Sequence, residues 1–98
     1  MDVSIVVPLY NEVESLDELM AWIDRVMKEH TLSYEVIMVD DGSKDGSWDK
    51  IRDLSGRYKE VRGFRFRRNY GKSAALHVGF KATRGEVVIT MDSDLQDS

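Results

Sequence analysis

The stretch EVIMVDDGSKDGSWDKI, Glu35 to Ile51, changes its apolar period midway. Its first half is a short, continuous apolar run rich in β-branched residues. Such a run, Glu35–Asp40, is too short for a helix and reads as a strand buried on both faces. The middle, DGSKDGS, is turn chemistry: Asp41 can fold back on the chain through an Asx motif, and the glycines permit tight bends. In the second half Trp48, Ile51, Leu54 and Tyr58 recur at helical spacing, with Ser47 placed to cap the helix. A buried strand leading through a polar loop into a helix is the repeating unit of a parallel sheet.

The same unit recurs on either side. Upstream, VSIVVP (Val3–Pro8) is another buried-strand run. NEVES interrupts it, and Ser15 with Glu18 forms a capping box for a helix carrying Leu16, Leu19, Met20, Ile23 and Met27. Downstream, VRGFRFRR sets Phe64 and Phe66 against Arg65 and Arg67, the alternation of a strand with one wet face. Ser73 is placed to cap a third helix, with Leu76, Gly79 and Phe80 toward the core and Gly85 suited to a left-handed C-terminal cap. EVVITMD is a fourth buried run. The order β-α-β-α-β-α-β defines an α/β fold with a Rossmann-like parallel sheet and right-handed crossovers.

In such sheets ligands bind beyond the carboxyl ends of the strands. The stretches PLYNE, DDGSKDGS, RRNYGKS and DSDLQDS all follow strands and should share one rim. The opposite loops, EHTLS, GRYKE and TRGE, are plain connections. Asp92 and Asp94, spaced i and i+2, would point the same way on an extended backbone. They suit a hard cation such as Mg²⁺ or Mn²⁺, with Gln96 able to extend the same face. On this stretch alone the commoner reading is that Asp92 caps a following helix turn and the other carboxylates are solvated. Asp40 could accept from a base N–H or a sugar hydroxyl, or simply belong to a well-made turn.

Lys72, in Gly-Lys-Ser at a helix start, could meet a phosphate with the helix amides. It is not a Walker loop, because that motif needs a glycine where Phe66 stands. A receiver-type acidic pocket is also disfavoured, since its paired aspartates follow the first strand. PLYNE lacks the glycines of a dinucleotide fingerprint, but Pro8 stiffens the strand exit. Tyr10 could stack on a base, and Asn11 and Glu12 could bond a ribose. His30 and His77 read as solvated or structural, and Trp22 and Trp48 as helix packing.

Composition narrows the classes. The chain has 98 residues, 42% hydrophobic and 33% charged, enough for one domain. A net charge of −4 leaves no footprint for nucleic acid. Without cysteine there is no disulfide or thiolate metal site. Neither a signal peptide nor a run of about 20 apolar residues is present, so a cytoplasmic chain is expected.

IVVPLYNE, VDDGSKDGS, RNYGKSAAL and ITMDSDLQD together resemble the successive nucleotide-sugar motifs of the family two inverting glycosyltransferases of the GT-A fold. The resemblance spans nearly the whole chain. DLQD and NYGKSAAL point to the branch that makes polyprenyl-phosphate sugars. It implies a nucleoside lined by Pro8, Tyr10 and Glu12, with Asp40 on the base or ribose and Lys72 near the diphosphate. Asp92 and Asp94 would be the DxD pair, Asp92 reaching the ribose and both holding the divalent cation, with Gln96 in the metal shell. The implied donor is a UDP- or GDP-linked sugar and the acceptor a lipid phosphate or glycan, at the cytoplasmic face of the membrane for the parent protein.

Members of the family continue well past the DxD motif. Residues 1–98 are therefore expected to be the donor-binding half alone, inactive by itself, with any catalytic base elsewhere. In the family-like strand order 3-2-1-4, the fourth strand would be an uncovered edge through which the chain self-associates. Two other classes remain open on the residues alone: a stand-alone nucleotide-binding or regulatory module, and a structural interaction domain.

Overall fold

A computed structural model describes residues 1–94. Seven elements alternate: β1 (Val3–Leu9), α1 (Leu16–Glu29), β2 (Tyr34–Asp40), α2 (Ser47–Arg57), β3 (Val61–Arg65), α3 (Lys72–Ala82) and β4 (Val87–Thr90). The four strands form one parallel sheet in the order β3-β2-β1-β4, as the alternating pattern and the family resemblance imply. β1 is central, paired with β2 from Val3↔Tyr34 to Leu9↔Asp40 and with β4 from Val3↔Val87 to Val6↔Thr90. Pro8 is tolerated in this strand because pairing with β4 has already ended.

Both faces of β1 and β2 are covered, which is why these strands read as continuous apolar runs. On one face Ile5, Val7, Val36 and Met38 pack against Leu19, Met20 and Ile23 of α1 and Ile51 and Leu54 of α2. On the other, Ile37 and Val39 meet Ala75 of α3, flanked by Phe64 and Phe66. Gly79 lets α3 approach this closely, since a Cβ there would overlap Cγ1 of Val6. No helix among the described residues is long and apolar enough to cross a membrane.

A buried polar cluster ties the α3–β4 connection to the sheet. Glu35 is 3% exposed. Its carboxylate accepts from Ser4 Oγ at 2.6 Å, Arg84 N at 2.7 Å and Arg62 Nη2 at 2.8 Å. Burial pushes its pKa up, but the Ser4 hydroxyl, the Arg84 amide and the Arg62 guanidinium outweigh that and hold the group below the usual glutamate value. Arg62 also donates to Ala82 O, and Gly85 N donates to Ser4 Oγ.

Several local expectations are corrected. Ser15 makes no capping bond; its backbone is already helical, and its hydroxyl donates to Glu12 O and Oε2. The capping positions of α2 and α3 are Gly46 and Gly71, so Ser47 and Ser73 lie inside the first turns. Asp45 supplies the side chain at the start of α2, accepting from Ser47 N at 3.0 Å. Gly85 is not left-handed; it is small because a Cβ would stand 2.7 Å from Ser4 N. Phe80 faces solvent, 45% exposed. β4, expected to be buried, is exposed throughout: Val87 is 55%, Val88 42% and Ile89 39% accessible. Its backbone pairs with β1, but its side chains stay exposed among the described residues. The expectation of an uncovered apolar edge matches this exposure.

Candidate functional site

The four loops after the strands meet at one rim and are laced to one another. Asn11, at φ 53°, turns the first loop in a left-handed conformation that asparagine tolerates. It then bonds the second loop twice: its N–H donates to Ser43 Oγ at 2.7 Å, and its Oδ1 accepts from Lys44 N at 2.9 Å. Glu12 N donates to Ser47 Oγ at 3.0 Å. Gly42, at φ 83°, brings the second loop against the third so closely that a Cβ would stand 2.6 Å from Asn69 N and overlap the carbonyl carbon of Arg68. The third loop is joined to the fourth by Lys72 Nζ and Asp92 Oδ1, 3.1 Å apart.

The adjacent carboxylates of VDD divide their roles by strand alternation. Asp40 ends β2 fully buried, its Oδ1 accepting from Ser43 N at 2.8 Å. Its Oδ2 is buried with no hydrogen-bond partner among the described residues. Asp41 points the other way and accepts from Tyr70 N at 2.7 Å and Gly71 N at 3.0 Å, fixing the entry of α3. Of the two readings of Asp40, its bond to Ser43 N fits the turn. Asp41, read as the turn-holder, lines the cleft while clamping the neighbouring loop.

The cleft measures about 1130 Å³. Pro8, Tyr10, Glu12, Lys72, Asp92 and Asp94 all line it, and Asp40 does not. Asp92 and Asp94 are exposed on either side of buried Ser93, as an extended i, i+2 pair requires. Gln96 lies outside the described residues. Among the described residues no group of three or more His, Cys, Asp or Glu is poised around one metal position. Two carboxylates on an open wall fit a hard cation that completes its shell with water and substrate oxygens. Trp22, read as helix packing, instead lines the cleft at 38% exposure. The available signal was its place one position off the buried stripe Leu16, Leu19, Met20, Ile23, Met27.

Electrostatically the cleft is acidic. Among the described residues that line it, Glu12, Asp41, Asp92 and Asp94 face one ammonium, Lys72, for a formal charge of −3. An open parallel α/β sheet with a cleft at the carboxyl ends of its strands defines a class of protein that binds its ligands at that rim. Residues 4–98 match Glycosyl transferase family 2, and the chain belongs to that family.

It is 43% identical over 96 residues to undecaprenyl-phosphate 4-deoxy-4-formamido-L-arabinose transferase of Aeromonas hydrophila, covering 97% of this chain and 29% of the relative. The chain thus spans under a third of that relative's length. Among solved structures, the mannosyltransferase PcManGT from Pyrobaculum calidifontis, in complex with GDP-Man and Mn²⁺, superposes with a TM-score of 0.78. The two are 27% identical, over 94% of this chain and 27% of that one. S. aureus TarS 1-349 in complex with UDP-GlcNAc superposes with a TM-score of 0.77 at 27% identity, over 96% and 27%.

Proposed function

We propose that this chain is the donor-binding part of an inverting glycosyltransferase that takes a UDP- or GDP-linked sugar with Mg²⁺ or Mn²⁺ and serves a polyprenyl-phosphate acceptor. The observation that carries the reading is the −3 cleft in which Asp92 and Asp94 stand opposite Lys72. A diphosphate is repelled by that charge unless a divalent cation enters with it. The ligands named for the two structures, and the acceptor named for the relative, support the donor and acceptor classes.

Each residue then has a bounded task. Asp92 and Asp94 would hold the cation, which when bound stabilises the negative charge of the departing nucleoside diphosphate. Pro8, Tyr10 and Glu12 would line the nucleoside. Asp40 would act from beneath the site, with Oδ2 as an acceptor awaiting a donor. Lys72 would meet the diphosphate. Inverting transfer forms a bond from an acceptor oxygen to the anomeric carbon as the bond from that carbon to the diphosphate breaks. A phosphate acceptor is already anionic, so it needs less from a general base than a sugar hydroxyl. With such an acceptor the parent protein would work at a membrane, and we propose its cytoplasmic face.

Calorimetry with UDP and GDP, with and without Mn²⁺, tests the reading. Metal-dependent binding abolished by Asp94→Ala is the expected result. Metal-independent binding would support a stand-alone nucleotide-binding module instead, and absence of all binding would refute the donor site in this chain.

A further inference from the structure

Lys72 and Asp92 are both exposed, 65% and 74% by side chain, so charge rather than packing holds them together. Their backbones, by contrast, are anchored. Lys72 opens α3, whose entry is clamped by Asp41 on the amides of Tyr70 and Gly71. Asp92 follows Met91, whose N–H donates to Val6 O at 3.0 Å, and precedes buried Ser93. Between two anchored backbones the long lysine side chain has the greater reach.

We infer that Lys72 is a charge shuttle that couples the cation to the nucleotide. The inference rests on reading the cleft as a donor site. In the empty cleft the ammonium occupies Asp92, the carboxylate a cation needs. A cation reaching Asp92 displaces it, and the freed ammonium turns to the phosphate that arrives with the metal. Metal alone must break the ion pair. Phosphate alone meets four carboxylates and a lysine already engaged. When both bind, the metal takes Asp92 and the freed ammonium takes the phosphate, so each ligand removes a cost the other meets alone and strengthens it reciprocally. An exposed ion pair weakens metal binding by at most about fivefold.

The test is Mn²⁺ titration of the chain, followed by the paramagnetic resonance of free Mn²⁺, with and without GDP or UDP. Lys72→Met should bind Mn²⁺ alone about two- to fivefold more tightly than wild type. The gain in Mn²⁺ affinity produced by nucleotide should shrink by a similar factor. Lys72→Arg, which keeps the pair, should behave as wild type. Lys44→Met removes an ammonium elsewhere on the same rim and should not tighten Mn²⁺.

Equal or weaker Mn²⁺ binding by Lys72→Met overturns the shuttle, as does an equal gain in Lys44→Met. If wild type takes up Mn²⁺ and nucleotide together yet Lys72→Met shows no gain for Mn²⁺ alone, only the shuttle falls. If wild type takes up no Mn²⁺, or Mn²⁺ without nucleotide, the donor-site reading falls with it.

Discussion

Replacing Glu35 by alanine should destabilise the chain by about 3 kcal/mol. The carboxylate receives three hydrogen bonds in a site 3% exposed, from Ser4 Oγ, Arg84 N and Arg62 Nη2. Breaking a buried charge pair costs roughly 3–5 kcal/mol. The low end applies because the Arg62 side chain is 32% exposed and water screens what it loses, and because Ser4 Oγ still accepts from Gly85 N. For a domain of this size each kcal/mol moves the melting temperature by about 4–8 °C, so a fall of roughly 12–24 °C is expected.

Thermal and urea unfolding followed by far-ultraviolet circular dichroism provide the measurement. Glu35→Gln, which keeps the shape and loses the charge, should lie between the two. The pH dependence gives a second check. The native pKa of Glu35 lies below its usual value of 4.5, so the unfolded chain binds its proton first as pH falls. Its stabilisation is therefore complete above that value and is lost on acidification through the native pKa. Wild type should lose more stability than Glu35→Gln over that interval. A loss under 1 kcal/mol in the alanine variant, with wild-type acid sensitivity retained, would refute the reasoning.

Two further outcomes are expected. Gly42→Ala must adopt φ 83° with a Cβ against the backbone of Arg68 and Asn69; left-handed strain and overpacking together predict a loss of about 2–4 kcal/mol in urea unfolding. The exposed edge of β4 contains neither lysine nor proline to discourage pairing, so we propose that this chain self-associates there. Light scattering should show dimers or larger species, reduced to monomer by Ile89→Lys; a clean wild-type monomer at high concentration would rule the contact out.

The sheet was legible because strand and helix periods differ so sharply. Val36 to Val39 and Leu16 to Met27 permit only one reading each. What escaped the sequence depended on neighbours. VVIT has the composition of a buried strand, and composition does not say whether anything covers it. Ser15 holds the capping position with a backbone already helical, while Ser47 stands one residue and Ser73 two residues inside theirs, and which residue caps depends on where the preceding loop releases the chain. β2 ends at Asp40 as its pattern predicts, but the sequence does not say what lies beside that end, where Asp40 is buried on Ser43 N and Asp41 turns to the amides of Tyr70 and Gly71. The gathering of Tyr10, Glu12, Lys72, Asp92 and Asp94 was legible from topology alone, since parallel strands carry every following loop to the same end.

The pairing of Val3 with Val87 spans 84 positions. During synthesis β1 emerges before β4, so one of its two hydrogen-bonding edges has no partner until β4 leaves the ribosome. At roughly 5–20 residues per second that interval is about 4–17 s. Throughout it an apolar strand that becomes the centre of the sheet is itself an edge. The nascent chain thus carries a window for chaperone capture or mispairing.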